Sequence, residues 1–232
     1  MGTASEPLAP GGPYRRQFAA ELEQLHLQVE VMAVRVDQAL ERMREVLSTG
    51  DAHAADKALV GDDIIDEMNV SLTERCYDLL RREAPVASDL RFVVSVLRVL
   101  SDLERIGDLA LRVVKLAPEQ PLLASSPATF DIILAMADRA IDRYRLALRA
   151  WATLDLGLAT ELATGPRTMD LFQERLMTEL LRLEGTDAVR IAVRTFTVGQ
   201  AVDRIADHSA VIGARLRYLI TGDPDHLVAE VR

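Results

Sequence analysis

Apolar residues recur along most of the chain at alternating steps of three and four, the stepping of helices packed lengthwise against one another. From Tyr14 the series Leu22, Leu25, Val29, Met32, Val36, Ala39, Met43 and Val46 keeps this rhythm. It stops at Ser48-Thr49-Gly50-Asp51, where Gly50 suits the left-handed residue that closes a helix. A second series, Ala55, Ala58, Ile65, Leu72, Cys76 and Leu79, predicts a helix from about Ala52 to Arg82, ended by Ala84-Pro85. A third helix follows over residues 89–115, with Ser88 or Asp89 as its cap. Its seam is Leu90, Val93, Leu97, Leu100, Gly107, Leu111 and Val114, and it ends near Ala117-Pro118. Three long helices joined by short turns make an up–down–up bundle.

The pattern then restarts. Met32-Ala33 matches Met136-Ala137, Asp51 matches Asp155 and Asp66 matches Asp170, all at an offset of 104. On the third helix Arg91 matches Arg190, Glu104 matches Asp203 and Asp108 matches Asp207, at an offset of 99. The change of offset places a short deletion at the turn before the third helix. The second copy is expected to carry helices over roughly 129–153, 157–184 and 188–220, stopped by Gly222 and Pro224. The fold class read from this pattern is all-α, two tandem three-helix bundles built from an internal repeat. The divisions are a disordered tail at 1–13, a bundle at 14–117, a linker at 118–130, a bundle at 131–222 and a tail at 223–232. Prolines, glycines and serines mark the first tail and the linker.

Composition supports helices packed on helices: 49% of residues are hydrophobic but only 4% aromatic. A net charge of −9 speaks against general binding to nucleic acid, which needs a basic footprint. No uncharged apolar stretch approaches the ~20 residues that span a bilayer, and the N-terminal sequence lacks the basic and apolar regions of a signal peptide. The expected compartment is the cytoplasm, with no membrane insertion. The single cysteine, Cys76, excludes an internal disulfide and falls on an apolar stripe, where a plain core thiol is expected. Trp151 reads as an inter-helix anchor.

The chemistry lies in the positions where the seam is broken. Asp62 and Glu104 stand where the second and third helices call for apolar residues, and Asp203 does so in the second copy. Each has a second acid one turn on, giving Asp62/Asp66, Glu104/Asp108 and Asp203/Asp207, while Asp170 faces Pro166 in place of a partner acid. Acids four apart on a helix are ordinarily a solvated face. Here they occupy seam positions and recur in both copies. Carboxylates placed 5–6 Å apart between Cβ atoms repel one another unless a cation lies between them, and hard cations accept such oxygen ligands. Asp62, Asp66, Glu104, Asp108, Asp203, Asp207 and Asp170 are therefore the candidate metal ligands. His208 follows Asp207 and is a further candidate, whereas His26, His53 and His226 read as surface or turn residues. Arg105 and Arg204 offer the alternative of plain ion pairs in a metal-free helical scaffold. A Mg²⁺-dependent all-helical nucleotide pyrophosphatase is the enzyme-class alternative; such enzymes pair acids at spacing three, and this chain spaces them four apart. A pair of Glu-x-x-His motifs of the di-iron type, HExxH and Walker-type signatures are absent from the sequence.

The stretch Pro85-Val-Ala-Ser-Asp-Leu-Arg91 with Asp102-Leu-Glu-Arg-Ile-Gly-Asp108 resembles the signature of the PhoU family of bacterial phosphate-signalling regulators. Asp62-Asp-Ile-Ile-Asp66 resembles its acidic motif on helix two. Val202-Asp-Arg-Ile-Ala-Asp-His208, with Tyr218-Leu-Ile-Thr-Gly222, resembles the end of its second repeat. The resemblance implies a non-enzymatic adaptor that couples the ATPase subunit of a phosphate ABC transporter to a sensor histidine kinase and holds the starvation response off when phosphate is plentiful. It also implies metal, iron or zinc with Mg or Mn as alternatives, on the acidic motifs, and a homodimer. Pro166 and Ala206, standing where the pattern has an acid and a glycine, depart from it in the second copy.

Overall fold

The computed structural model describes residues 13–83, 85, 87–165 and 168–231, so all of the tail expected at 1–13 but Pro13, which opens the first helix, lies outside the described residues. Helix α1 spans Pro13–Thr49, α2 Ala52–Glu83 and α3 Ala87–Val114. After a 3₁₀ turn at Ala117–Glu119 come α4 (Gln120–Ala124), α5 (Pro127–Thr153), α6 (Leu156–Thr164), α7 (Thr168–Leu180) and α8 (Ala188–Thr221). A last 3₁₀ segment, Pro224–Val231, lies back on α8. No strand occurs among the described residues.

The punctuation read from the sequence works as local chemistry requires. Gly50 takes φ +70° and donates its N–H to the Val46 carbonyl at 2.8 Å, closing α1. Gly222 closes α8 in the same way, with φ +75° and a bond to Tyr218 O of 2.8 Å. The repeat register is visible in the caps. Asp51 accepts from the His53 N–H at 2.8 Å at the start of α2, and its counterpart Asp155 accepts from Leu158 N–H at 2.9 Å at the start of α6.

Three expectations are corrected. The second helix of the second copy is not one helix over 157–184 but two, α6 and α7, parted at Gly165. Gly165 sits before a proline, which drives the preceding residue out of the helical region, and its backbone is extended at φ −61°, ψ 165°. Leu90, placed in the seam, is 42% exposed. The buried stripe of α3 instead runs through Val96, Val99, Leu103, Ile106, Ala110 and Val113, beside the seam residues, because α3 is covered on a second side by α8. His26 is not an ordinary surface residue. Its ring stacks on Trp151 with centroids 5.0 Å apart, and its Nδ1 is buried without a hydrogen-bond partner.

The fold is two three-helix bundles fused side by side: α1, α2 and α3 form one, and α5, α6–α7 and α8 the other. α3 and α8 pack together as the central pair, α1 and α5 pack alongside, and a single hydrophobic cluster runs through both halves. Burying the faces of both bundles together is the hydrophobic driving force for the fusion. Polar groups at this junction find partners across it. Tyr144 OH donates to Ala33 O at 2.7 Å, Trp151 Nε1 donates to His26 O at 3.3 Å, and Arg91 Nε donates to Leu219 O at 3.1 Å. Trp151 is thus the anchor its size suggested. Cys76 is fully buried and desolvation pushes its thiol up to about 12, so it is an inert core group.

Candidate functional site

The third turn of α2 and the middle of α3 meet so that Asp62, Asp66, Glu104 and Asp108 face one another. Gly107 brings the helices close: a methyl there would lie 3.7 Å from Asp62 Oδ1 and 3.5 Å from Ile65 Cδ1. Asp62, Glu104 and Asp108 are half-buried at the margin of the core, and Asp66 is exposed. The seam positions are therefore edge positions, which explains how carboxylates are tolerated there.

Their electrostatics are those of crowded like charges. The Asp62 carboxyl is held above the usual carboxylate range by desolvation and then by Asp66 and Asp108, with Lys115 opposing. Asp66 is raised by desolvation, Asp108 and Asp63. Glu104 is raised by desolvation, Asp108 and Asp66, with Arg105 opposing. In this group the expected ion-pair alternative is met at Asp108, which Arg105 Nη1 reaches at 3.5 Å.

The second copy assembles a thinner version. Asp203, half-buried on α8, is raised by desolvation and by Asp207, and Asp170 of α7 adds to the same repulsion. Gln173, whose Nε2 donates to Gly199 O at 3.5 Å, also counters part of it. Pro166 lies outside the described residues. His208 does not turn to this group: its Nδ1 lies 3.0 Å from Asp102 Oδ1, at the junction of α3 and α8.

Among the described residues no three His, Cys, Asp or Glu side chains converge as a ready metal-binding group. The donors are chemically suited to a hard cation, being oxygen acids already in mutual repulsion. A cation would draw them inward from their present spread.

The sequence reading missed Asp102. It is buried, and besides His208 it faces Arg215 of α8, whose Nη1 lies 2.9 Å from Oδ2. Its signal is that Asp102 is the one charged residue on the second apolar stripe of α3, beside the seam. Lys115 and Gln173, which set the charge balance of the two acidic faces, carried no signal of their own.

The comparisons with known proteins bear on this geometry. A family model described as the PhoU domain matches residues 29–117, which contain α2, α3 and the whole first acidic group. The crystal structure of PhoU from Pseudomonas aeruginosa superposes with a TM-score of 0.84 at 29% identity, covering 89% of this chain and all of that one. The chain carries a PhoU domain match in its first repeat and is similar to PhoU proteins over most of its length. Its curated relatives extend the likeness across both repeats. The phosphate-specific transport system accessory protein PhoU homolog of Pseudomonas putida is 28% identical over 89% of this chain and 82% of its own. That of Pseudomonas aeruginosa is 29% identical over 89% and 86%. No helix among the described residues is long and apolar enough to cross a membrane.

Proposed function

We propose that this protein regulates phosphate uptake and phosphate-starvation signalling as a non-enzymatic adaptor. It would couple a phosphate ABC transporter, through its ATPase subunit, to a sensor histidine kinase in the cytoplasm, repressing the response when phosphate is plentiful. The observation that carries this reading is the likeness, over both repeats, to relatives named accessory proteins of the phosphate-specific transport system. A rigid platform suits such a role. The two bundles share one core, so a partner bound on one repeat meets a fixed arrangement of the other.

The acidic faces are the second element of the proposal. Asp62, Asp66, Glu104 and Asp108 hold a metal ion, iron or zinc with Mg or Mn as alternatives, and Asp203, Asp207 and Asp170 form a weaker counterpart. The support is the mutual repulsion of these carboxyls, which a cation would relieve. Neutralising them would also tie α2 to α3 and stiffen the surface offered to partners. The metal-free scaffold retains one supporting observation, the Arg105–Asp108 pair. The protein is read as a homodimer.

The test is a gene deletion in the source cell combined with affinity capture from phosphate-rich medium, with and without a chelator. Derepressed phosphate uptake on deletion, together with co-purified transporter ATPase and histidine kinase, is the expected result. A deletion strain with normal phosphate control removes the regulatory reading. Capture that is indifferent to the chelator, from protein that contains no metal, leaves the scaffold.

A further inference from the structure

Away from the acidic faces, the outer sides of α1 and α2 enclose a groove of about 370 Å³ whose charge is opposite to that of the protein as a whole. Arg35 and Arg42 come from α1 and Lys57 from α2, with His53 at the rim, and Asp56 is the one acid in the lining. In a chain of net charge −9 this is a local concentration of cations. Arg42 and Lys57 have no hydrogen bond or ion pair among the described residues, while Arg35 donates only to Gln38 at 3.2 Å. Val60, 65% exposed, and Ile64, 41% exposed, form an apolar wall beside them.

One detail marks the groove as shaped. A methyl group at Gly61 would come within 2.6 Å of Arg42 Nη1, so the guanidinium lies against α2 in the notch at Gly61 and would have to swing aside for a larger residue. Glycine inside a helix costs about 1 kcal/mol relative to alanine. In this notch it lets Arg42 lie along the floor of the groove with its donors uncommitted. A planar guanidinium with free donors beside a lysine is a recognition pair for a phosphoryl group. The volume and apolar wall suit a ligand with a body as well as an anion.

We propose that this groove binds a phosphoryl-bearing small molecule, the phosphoryl oxygens on Arg42, Lys57 and Arg35 and the body of the molecule against Val60 and Ile64. The chemistry is shared by free inorganic phosphate and by phosphate monoesters of nucleoside size. The inference stands apart from the regulatory reading, since it concerns a different face and would hold or fall in a purified protein.

Calorimetric titration of the full chain at low salt with AMP, inorganic phosphate and adenosine tests it. AMP is expected to bind and adenosine not, because the anion supplies the recognition. AMP binding tighter than phosphate by tenfold or more assigns the groove to monoesters, and equal binding assigns it to free phosphate. Arg42→Ala is expected to weaken whichever binds at least tenfold. Gly61→Ala is expected to weaken it as well, by filling the notch, while leaving the melting temperature unchanged or higher. Absence of binding by both anions, or affinity unaltered in both variants, overturns the proposal.

Discussion

The two repeats reach the same three-helix plan by different packing, and their acidic faces differ accordingly. In the first, α2 is one unbroken helix, and four carboxyls face one another with Lys115 as the opposing cation. In the second, the equivalent helix is cut into α6 and α7, one acid of the pattern is replaced by proline, and Gln173 offsets part of the repulsion at Asp203. Matching core positions show a compensating exchange of volume. The first repeat has Ala58 and Val114; the second has Leu162 and Gly213. Close packing requires that one partner shrink as the other grows. The duplicated plan thus survives divergence as long as total volume is kept, while the charged face is free to lose members.

The largest effect is expected where the repeats are least alike. Asp102 has Ala201 as its counterpart, so Asp102→Ala makes α3 resemble α8. It also withdraws the carboxylate from half-buried Arg215 and from His208, and should cost about 3–5 kcal/mol in chemical unfolding. A loss below 1 kcal/mol would mean that the junction does not depend on this charge.

Next comes Gly213→Val, which grafts the first-repeat residue into the second. A Cβ there meets the Ala159 carbonyl at 2.9 Å and Leu162 Cβ at 3.0 Å, so overpacking should cost about 3 kcal/mol. Adding Leu162→Ala should recover part of it; a double variant no better than the single would sink the volume-exchange account.

The charge contrast gives a smaller, pH-dependent effect. Asp62, Asp66 and Glu104 hold their protons to higher pH folded than unfolded. The native state therefore binds more protons between the ordinary carboxylate range, about 4, and the raised values, and stability falls as pH rises through that window. Thermal melts at low ionic strength should show Asp62→Asn with Glu104→Gln melting about 2–4 °C above the parent at pH 7, with the difference closing on acidification. Asp203→Asn should gain less, because Gln173 already offsets part of the repulsion. Equal gains from the two faces would erase the contrast between them.

The smallest effect is expected of Gly107→Ala, which installs the second-repeat residue in the first. The new methyl finds only ordinary contacts, at 3.5 Å or more, so the helix should gain up to about 1 kcal/mol.

Much of this molecule was legible before any fold was known, and the particular failures are informative. The stops at Gly50 and Gly222 and the acidic register 62/66 and 104/108 depend on residues a few positions apart, where sequence spacing is spatial proximity. Leu90 was misplaced because the seam of α3 was read as though the helix had one buried side. Splitting of the second-repeat helix was signalled by Gly165-Pro166 and overlooked in favour of the repeat. His208 was assigned by its neighbour Asp207, yet successive helical residues point about 100° apart, and the imidazole went to Asp102 instead.

By itself the sequence determined the helices, their ends, the duplication and the line of acids, since each follows from a helical period of 3.6 residues and from local capping chemistry. Tertiary structure alone decided that α3 and α8 share a core, that Asp102 lies against Arg215, and that Arg35, Arg42 and Lys57 enclose a cationic groove. Those relations join residues far apart in the chain or on different helices, and the rotation of each helix about its axis is fixed only when all its neighbours pack at once.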